Sequence, residues 1–155
     1  MANIEGILFD CDGVLVDHKT GFAIKNVQQT LELLKQVPMA VCSNSYVEDL
    51  EHKIQGTNLH SYFELLVGAG TNPKPHPEVF LKGAAGLRKH IFNCLAVEDS
   101  VVGLKAAIAS GAISVAYAPT KELREELEAL RPEFIITDIL ELVELYNQLN
   151  GGDNE

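Results

Sequence analysis

The chain has 155 residues, and its 22 acidic and 12 basic side chains give a formal net charge of −10 at pH 7. That charge argues against nucleic acid or an anionic membrane surface as a partner, because both carry the same sign of charge. It does not exclude a small phosphate ester, since one lysine and a bound cation can reverse the sign inside a site.

Short apolar runs alternate with amphipathic stretches along the chain, and this alternation predicts the fold. The runs predict strands over Ile4–Phe9, Met39–Cys42, Leu65–Val67, Cys94–Val97, Ile113–Ala116 and Phe134–Ile136. The amphipathic stretches predict helices over Phe22–Gln36, Tyr46–Ile54, Pro77–Leu87, Val101–Ser110, Lys121–Leu130 and Ile139–Leu149. Alternating strands and helices predict an α/β domain with three αβα layers, a Rossmann-like parallel sheet covered by helices on both faces.

The length fits one domain, which we expect to cover residues 1–150, with a disordered polar tail over 151–155. Three cysteines without a CxxC pair, Cys11, Cys42 and Cys94, indicate small buried thiols in a reducing compartment. The amino-terminal stretch becomes acidic before any apolar run is long enough for a signal peptide, and no segment approaches the length of a membrane span. We therefore expect a soluble, cytoplasmic protein.

Polar side chains follow four of the predicted strands, at the point where each strand or its loop ends. They are Asp10 and Asp12 with Gly13, then Ser43, Asn44 and Ser45, then Lys74 in a proline-rich loop, then Glu98 and Asp99. Ligands of open parallel sheets bind outside the carboxyl ends of the strands, so we expect these groups to meet there.

The predicted cluster combines four carboxylates, one ammonium and several short hydrogen-bonding side chains. Carboxylate oxygens without a histidine or cysteine cluster favour Mg²⁺ over zinc. A carboxylate beside Mg²⁺ can attack phosphorus as a nucleophile, and a lysine can stabilise the charge on the transferred group. Together the residue types indicate phosphoryl chemistry.

Each motif taken alone also has an ordinary structural interpretation. Asp-x-Asp-Gly is a common turn, and Ser45 is by default the N-cap of the next helix. Lys74 alone would be a solvated lysine, and Glu98 with Asp99 would complement a helix dipole. The order of the four motifs at successive strand ends is what favours the functional interpretation.

In these four motifs the chain resembles the haloacid dehalogenase-like hydrolase superfamily, in particular the branch that contains β-phosphoglucomutase and small sugar-phosphate phosphatases. FDCDGVLVD is similar to its first motif, VCSNS to the second, NPKPHPEVF to the third and VEDSVVGLKAAIASG to the fourth. The resemblance extends from Ile4 to about Leu140.

The resemblance implies a role for each of these residues. Asp10 would be the nucleophile that becomes an aspartyl phosphate, and Asp12 the general acid and base, with its backbone carbonyl on Mg²⁺. Lys74 would neutralise Asp10 and the phosphate, while Ser43, with Asn44 beside it, would bind the phosphoryl oxygens. The metal ligands would be Asp10, Asp12, Glu98 and Asp99. An acid at position 12 is typical of the phosphoester hydrolases of the family and disfavours a dehalogenase.

The chain departs from this branch after the first motif. The branch inserts a helical cap domain there, whereas only residues 18–21 separate Asp17 from the first predicted helix. Caps exclude water and contact the substrate, so we expect an open site without one. The expected substrate is a phosphorylated molecule, small or large, and a second copy of the chain is a candidate cover. His18, Lys19 and His76 are more often ordinary surface residues than substrate contacts.

Two further functions remain open from the sequence. One is a non-catalytic module that binds phosphate or Mg²⁺ and regulates a partner, and the weaker one is a phosphomutase or phosphotransferase. A mutase has to retain its intermediate, which is difficult without a cap. In a chain that had drifted away from catalysis, Asp10, Asp12 or Lys74 would be expected to be substituted. All three are in place. A phosphatase is therefore the favoured function.

Overall fold

The computed structural model describes residues 3–151, whose strands form one sheet. The strands are β1 (Gly6–Phe9), β2 (Met39–Cys42), β3 (Leu65–Val67), β4 (Cys94–Glu98), β5 (Ile113–Tyr117) and β6 (Phe134–Ile136). The helices are α1 (Val27–Leu33), α2 (Val47–Gly56), α3 (Glu78–Leu87), α4 (Val101–Ser110), α5 (Lys121–Glu128) and α6 (Glu141–Leu149). Short 3-10 turns lie at His60–Tyr62 and Ile91–Asn93.

The sheet is parallel throughout, with strand order β3-β2-β1-β4-β5-β6. Leu8 of β1 lies opposite Ala40 of β2 on one side and Ala96 of β4 on the other. The chain therefore leaves β1 in one direction through β2 and β3, and then returns to add β4 on the other side of β1. The crevice at such a reversal is where open α/β sheets bind their ligands.

The two faces of the sheet are covered by different helices, which confirms the predicted three-layer α/β fold. Alternate residues of the strands point to opposite faces. Ile7 and Phe9 of β1 pack in a core with α1, α2 and α6, whereas Leu8 packs with α3, α4 and α5. The strands β1, β2, β4 and β5 are buried along their whole length, as expected for central strands of a covered parallel sheet.

A glycine in the core that contains Leu8 decides how closely α3 packs on the sheet. A Cβ on Gly83 of α3 would lie 2.6 Å from the Cys42 sulfur and 3.1 Å from Leu8 Cδ2. Glycine at this position lets α3 approach β1 and β2, and α3 follows the loop that carries Lys74. The packing of α3 thus helps to set the position of that loop.

The first predicted helix, Phe22–Gln36, was too long: α1 covers Val27–Leu33, with the larger error at the amino-terminal end. Residues 10–26 form a loop in which Val16 bridges both Asp12 and Ala23. The Ile24 amide donates to the Leu15 carbonyl, and Asn26 has a φ of 71°, so the helix cannot start earlier. Asp17 is separated from α1 by residues 18–26, not by the four residues expected.

The remaining elements follow the predicted bounds closely, and β2, β3, β6 and α4 match them in full. All three cysteines are free and buried, as predicted. Among residues 3–151, the helices are too short or too polar to cross a bilayer. Of the predicted disordered tail over 151–155, all but Gly151 lies outside the described residues.

Candidate active site

The predicted site residues meet where the chain direction reverses, at the carboxyl ends of β1, β2 and β4. Six of the seven line one cavity of about 370 Å³; these are Asp10, Asp12, Ser43, Asn44, Lys74 and Glu98. The seventh, Asp99, joins Asp10 and Glu98 in a group whose carboxylate oxygens lie within 4.8 Å of one another. Strand ends that are far apart in sequence are thus brought to one place by strand order.

Lys74 lines the cavity and uses all three of its N–H donors. Its Nζ donates to Asp10 Oδ1 at 2.8 Å, to the Cys42 carbonyl at 2.9 Å and to Glu98 Oε2. Burial disfavours the ammonium, but the charges of Glu98 and Asp10 outweigh burial and raise the pKa of Lys74 above its ordinary value. Lys74 is therefore a fixed positive charge beside Asp10.

The loop that carries Lys74 is held by Asn44. The Lys74 backbone N–H donates to Asn44 Oδ1 at 2.9 Å, and the Lys74–Pro75 peptide bond is cis. Phe80 of α3 lies against the ammonium, with the ring centroid 5.0 Å from Nζ. The amide of Asn44 therefore positions the lysine loop in addition to lining the cavity.

Two glycines make room for the acidic group. A Cβ on Gly13 would overlap the Asp99 carboxylate, and a Cβ on Gly103 would overlap the Glu98 carboxylate. Gly13 also has a φ of 86°, in the region that favours glycine. The predicted turn at Gly13 thus has a second purpose, because it admits Asp99 beside Asp10.

The acidic group of Asp10, Glu98 and Asp99 carries an excess of negative charge. Three carboxylates, from Asp10, Glu98 and Asp99, share the single ammonium of Lys74, which leaves a formal charge of −3 + 1 = −2 if all are ionised. Burial, together with the charge of Asp10, raises the pKa of Asp99 to about 7. A cation would relieve this repulsion.

The residues present fit a hard divalent cation. Glu98 Oε1 is buried and, within residues 3–151, has no hydrogen-bond partner, which is costly for a carboxylate oxygen. The donors are all oxygens, as Mg²⁺ prefers. The Asp12 carboxylate is not part of the group, so the predicted ligand from Asp12 could only be its backbone carbonyl.

Ser43 and Ser45 begin the cavity wall after β2. Ser43 is buried, and its Oγ accepts a hydrogen bond from the Ser45 backbone N–H at 3.0 Å. Ser45 does not cap α2, whose N-cap is Tyr46, because the helix begins one residue later than expected. The short side chains of both serines are therefore left for the cavity.

Lys53 is a site residue that the sequence analysis missed. It lies on α2, and its Nζ is 2.9 Å from Asp12 Oδ2 and 3.5 Å from Ser45 Oγ. The hydrogen bond to Asp12 raises the pKa of Lys53. The sequence places Lys53 next to the buried face of the predicted helix, between Leu50 and Ile54, but no pattern in it pairs Lys53 with Asp12.

The other candidates near the mouth do not join the cluster. His18, Lys19 and His76 are exposed, and His76 Nδ1 accepts from the Glu78 backbone N–H at 3.1 Å. Cys11 lies between the two aspartates, but burial raises the pKa of its thiol to about 12, so it is not a nucleophile near neutral pH.

Comparisons with known proteins place the chain in a family. The model of the haloacid dehalogenase-like hydrolase family matches residues 20–111. Hexitol phosphatase B of Escherichia coli (strain K12) is 31% identical over 139 residues, covering 81% of this chain and 60% of that protein. The bifunctional riboflavin kinase/FMN phosphatase of Arabidopsis thaliana is 38% identical over 78 residues, covering 48% of this chain and 21% of that protein.

Among solved structures, a HAD family hydrolase from Deinococcus radiodurans R1, crystallised with bound phosphate and sodium, superposes with a TM-score of 0.86. It is 21% identical, and the match covers 96% of this chain and 97% of that one. This likeness supports the fold. The chain spans 60% or less of the length of the two curated relatives described above.

Proposed function

Because the chain belongs to the haloacid dehalogenase-like hydrolase family, we propose that it is a Mg²⁺-dependent phosphomonoester hydrolase that works through a phosphorylated Asp10. The observation that carries the proposal is the surroundings of Asp10, which lies at the cavity beside the fixed charge of Lys74 and within the acidic group. Two relatives named as phosphatases support the same reaction class.

In the first half of the proposed reaction, Asp10 is the nucleophile. A carboxylate oxygen of Asp10 forms a bond to phosphorus, and the bond between phosphorus and the leaving oxygen breaks. The electron pair of that bond goes to the leaving oxygen, which takes a proton from Asp12. Lys74 holds Asp10 Oδ1 at 2.8 Å and so restrains the nucleophile in one orientation.

In the second half, water hydrolyses the aspartyl phosphate. The oxygen of the water attacks phosphorus while Asp12 accepts a proton from that water, and the bond between phosphorus and the Asp10 oxygen breaks. Inorganic phosphate leaves and the Asp10 carboxylate is restored. Ser43, buried at the cavity wall, is suited to donate its hydroxyl to a phosphoryl oxygen.

Asp10, Glu98 and Asp99, with the backbone carbonyl of Asp12, would hold the Mg²⁺ ion. When bound, the ion supplies positive charge against the transferring phosphoryl group and against the acidic group itself. The unpartnered Oε1 of Glu98 and the raised pKa of Asp99 support this assignment.

We also propose that the site works without a cap inserted after Asp17. Residues 18–26 lead directly from Asp17 to α1, and the turn that they form is exposed at His18 and Lys19. An open mouth offers a small substrate few remote contacts, and remote contacts help to lower the barrier. The favoured substrate is therefore a phosphate ester that brings its own surface, or a small one covered by a second copy of the chain.

Hydrolysis of an aryl phosphate by purified protein, with Mg²⁺ and after exhaustive EDTA dialysis, tests the proposed reaction. We expect turnover only with Mg²⁺, and inhibition by Ca²⁺, which prefers more ligands at longer distances. Asp10→Asn should lose activity by a factor of about 10³ or more, because the nucleophile is removed.

The matched control is Asp17→Asn, which removes a carboxylate from the same loop that lies outside the cavity. Mass spectrometry after acid quenching should locate the phosphoryl group on the peptide that contains Asp10. Asp10→Asn as active as the wild type would contradict the proposed nucleophile. A wild type that binds Mg²⁺ but hydrolyses no ester would favour the non-catalytic module.

A further inference from the structure

The general acid and base proposed above, Asp12, has a charged partner that none of the four motifs contains. Lys53 Nζ donates to Asp12 Oδ2 at 2.9 Å, and both side chains are about one-third exposed, at 33% and 34%. Leu50 and Ile54 are fully buried and anchor α2 on the sheet. A rigid helix therefore presents Lys53 to the loop that follows β1.

The two oxygens of Asp12 are in different environments. Oδ1 is buried and, within the described part of the chain, has no hydrogen-bond partner. Oδ2 accepts from Lys53, and Asp12 lines the cavity. Because Oδ1 is closed off, Oδ2 is the oxygen that a ligand in the cavity can reach.

We infer that Lys53 is a positioning residue for the proposed hydrolysis, which holds Asp12 so that Oδ2 exchanges the proton with the leaving group and then with water. The inference rests on the proposed function. In the first half-reaction the proton passes from Asp12 Oδ2 to the leaving oxygen as the bond from that oxygen to phosphorus breaks. In the second half-reaction it passes from water to Oδ2.

When Asp12 gives its proton to the leaving oxygen, Asp12 becomes a negative carboxylate, and Lys53 places a positive charge beside its Oδ2. An alkyl phosphate releases an alkoxide, which requires a proton as it leaves. A p-nitrophenyl phosphate releases a stabilised phenolate that leaves without protonation. Loss of Lys53 should therefore affect the two ester classes unequally, which a merely structural role would not do.

The experiment compares kcat/KM of wild type and Lys53→Met on a primary alkyl phosphate and on p-nitrophenyl phosphate, both with saturating Mg²⁺. For both esters kcat/KM reports the steps up to transfer of the phosphoryl group to Asp10. We expect a loss of about tenfold or more on the alkyl ester, a fraction of what general acid catalysis contributes, and less than about threefold on the aryl ester. Lys53→Arg should recover most of the loss, since it restores the charge.

The matched control is Lys35→Met. Lys35 follows the carboxyl end of α1 and forms an exposed ion pair with Glu32, in which Nζ and Oε2 are 2.6 Å apart. This variant should leave both esters unchanged, and thermal melting should find each variant folded. Equal losses on both esters, or faster alkyl turnover without Lys53, would overturn the inference while the wild type remained active. A wild type without turnover on either ester would contradict the proposed function instead, and the role of Lys53 with it.

Discussion

The two lysines of the site lie in opposite surroundings. Lys74 has a side chain that is 5% exposed, contacts two carboxylates and a carbonyl, and is covered by Phe80. Lys53 is 33% exposed and contacts Asp12, which lines the cavity. Both are ion pairs of similar length, at 2.8 and 2.9 Å.

Burial decides how much each ion pair contributes to the stability of the fold. A buried charge has given up its hydration, so removing its partner leaves an uncompensated charge in a poorly solvated place. A partly exposed pair is screened by water and contributes little to stability. Lys74 should therefore support both the fold and the chemistry, whereas Lys53 should support the chemistry alone.

The largest effect is expected when the buried ion pairs of Lys74 are broken. Lys74→Met should abolish turnover and lower the free energy of unfolding by about 3 to 5 kcal/mol, because Asp10 and Glu98 lose their counter-ion. Lys53→Met should change the free energy of unfolding by only about 0 to 1 kcal/mol. Urea unfolding of both variants at pH 7 measures the difference.

The two variants control for each other, because both replace a lysine of the site by methionine. Similar losses of stability would contradict the assignment of Lys74 as a buried counter-ion. Full activity of Lys74→Met would contradict its place beside the nucleophile.

A smaller effect is expected from the metal. Mg²⁺ at about 100 times its dissociation constant should stabilise the fold by about 2.7 kcal/mol, which raises Tm by about 5 to 10 °C for a chain of this size. The increase should disappear in Asp99→Asn, because one member of the acidic group is lost. A differential scanning experiment with and without EDTA measures it, and an equal increase in Asp99→Asn would contradict the ligand set.

The smallest expected effect concerns pH in the absence of metal. The folded protein favours protonated Asp99, since its pKa is raised to about 7 from an ordinary value of 3.8. The stability that this group contributes is therefore present below about pH 4 and is lost as pH rises through 7. Asp99→Asn cannot ionise, so its Tm in EDTA should rise relative to wild type between pH 4 and pH 7.

Partial exposure of Asp99 lets water screen its charge, so the relative increase in Tm should amount to a few degrees at most. Asp17→Asn provides the comparison, because the backbone N–H groups of Lys19 and Thr20 lower the pKa of Asp17. A Tm difference that stayed constant with pH would contradict the raised pKa of Asp99.

Much of the fold was predictable because each strand is a short apolar run with a clear end. The bounds of β2, β3 and β6 match the predicted ones in full. The start of α1 was not predictable from periodicity, since residues 22–26 contain apolar side chains at helical spacing. Backbone hydrogen bonds to the preceding loop and the left-handed conformation of Asn26 decided it.

The sequence by itself determined which residues stand at the strand ends, and strand order then brought Asp10, Lys74 and Glu98 together. Motif spacing predicts such a meeting because parallel strands all end at the same edge. Only the tertiary structure decided the partner of Asp12. Lys53 and Asp12 are 41 positions apart and belong to no common pattern, so the pair exists only because α2 packs with its buried residues against the sheet. Lys74 is buried on the other side of the sheet from α2, where Phe80 of α3 lies against it, whereas Lys53 stays in contact with solvent. This difference in hydration is not encoded in any local run of residues.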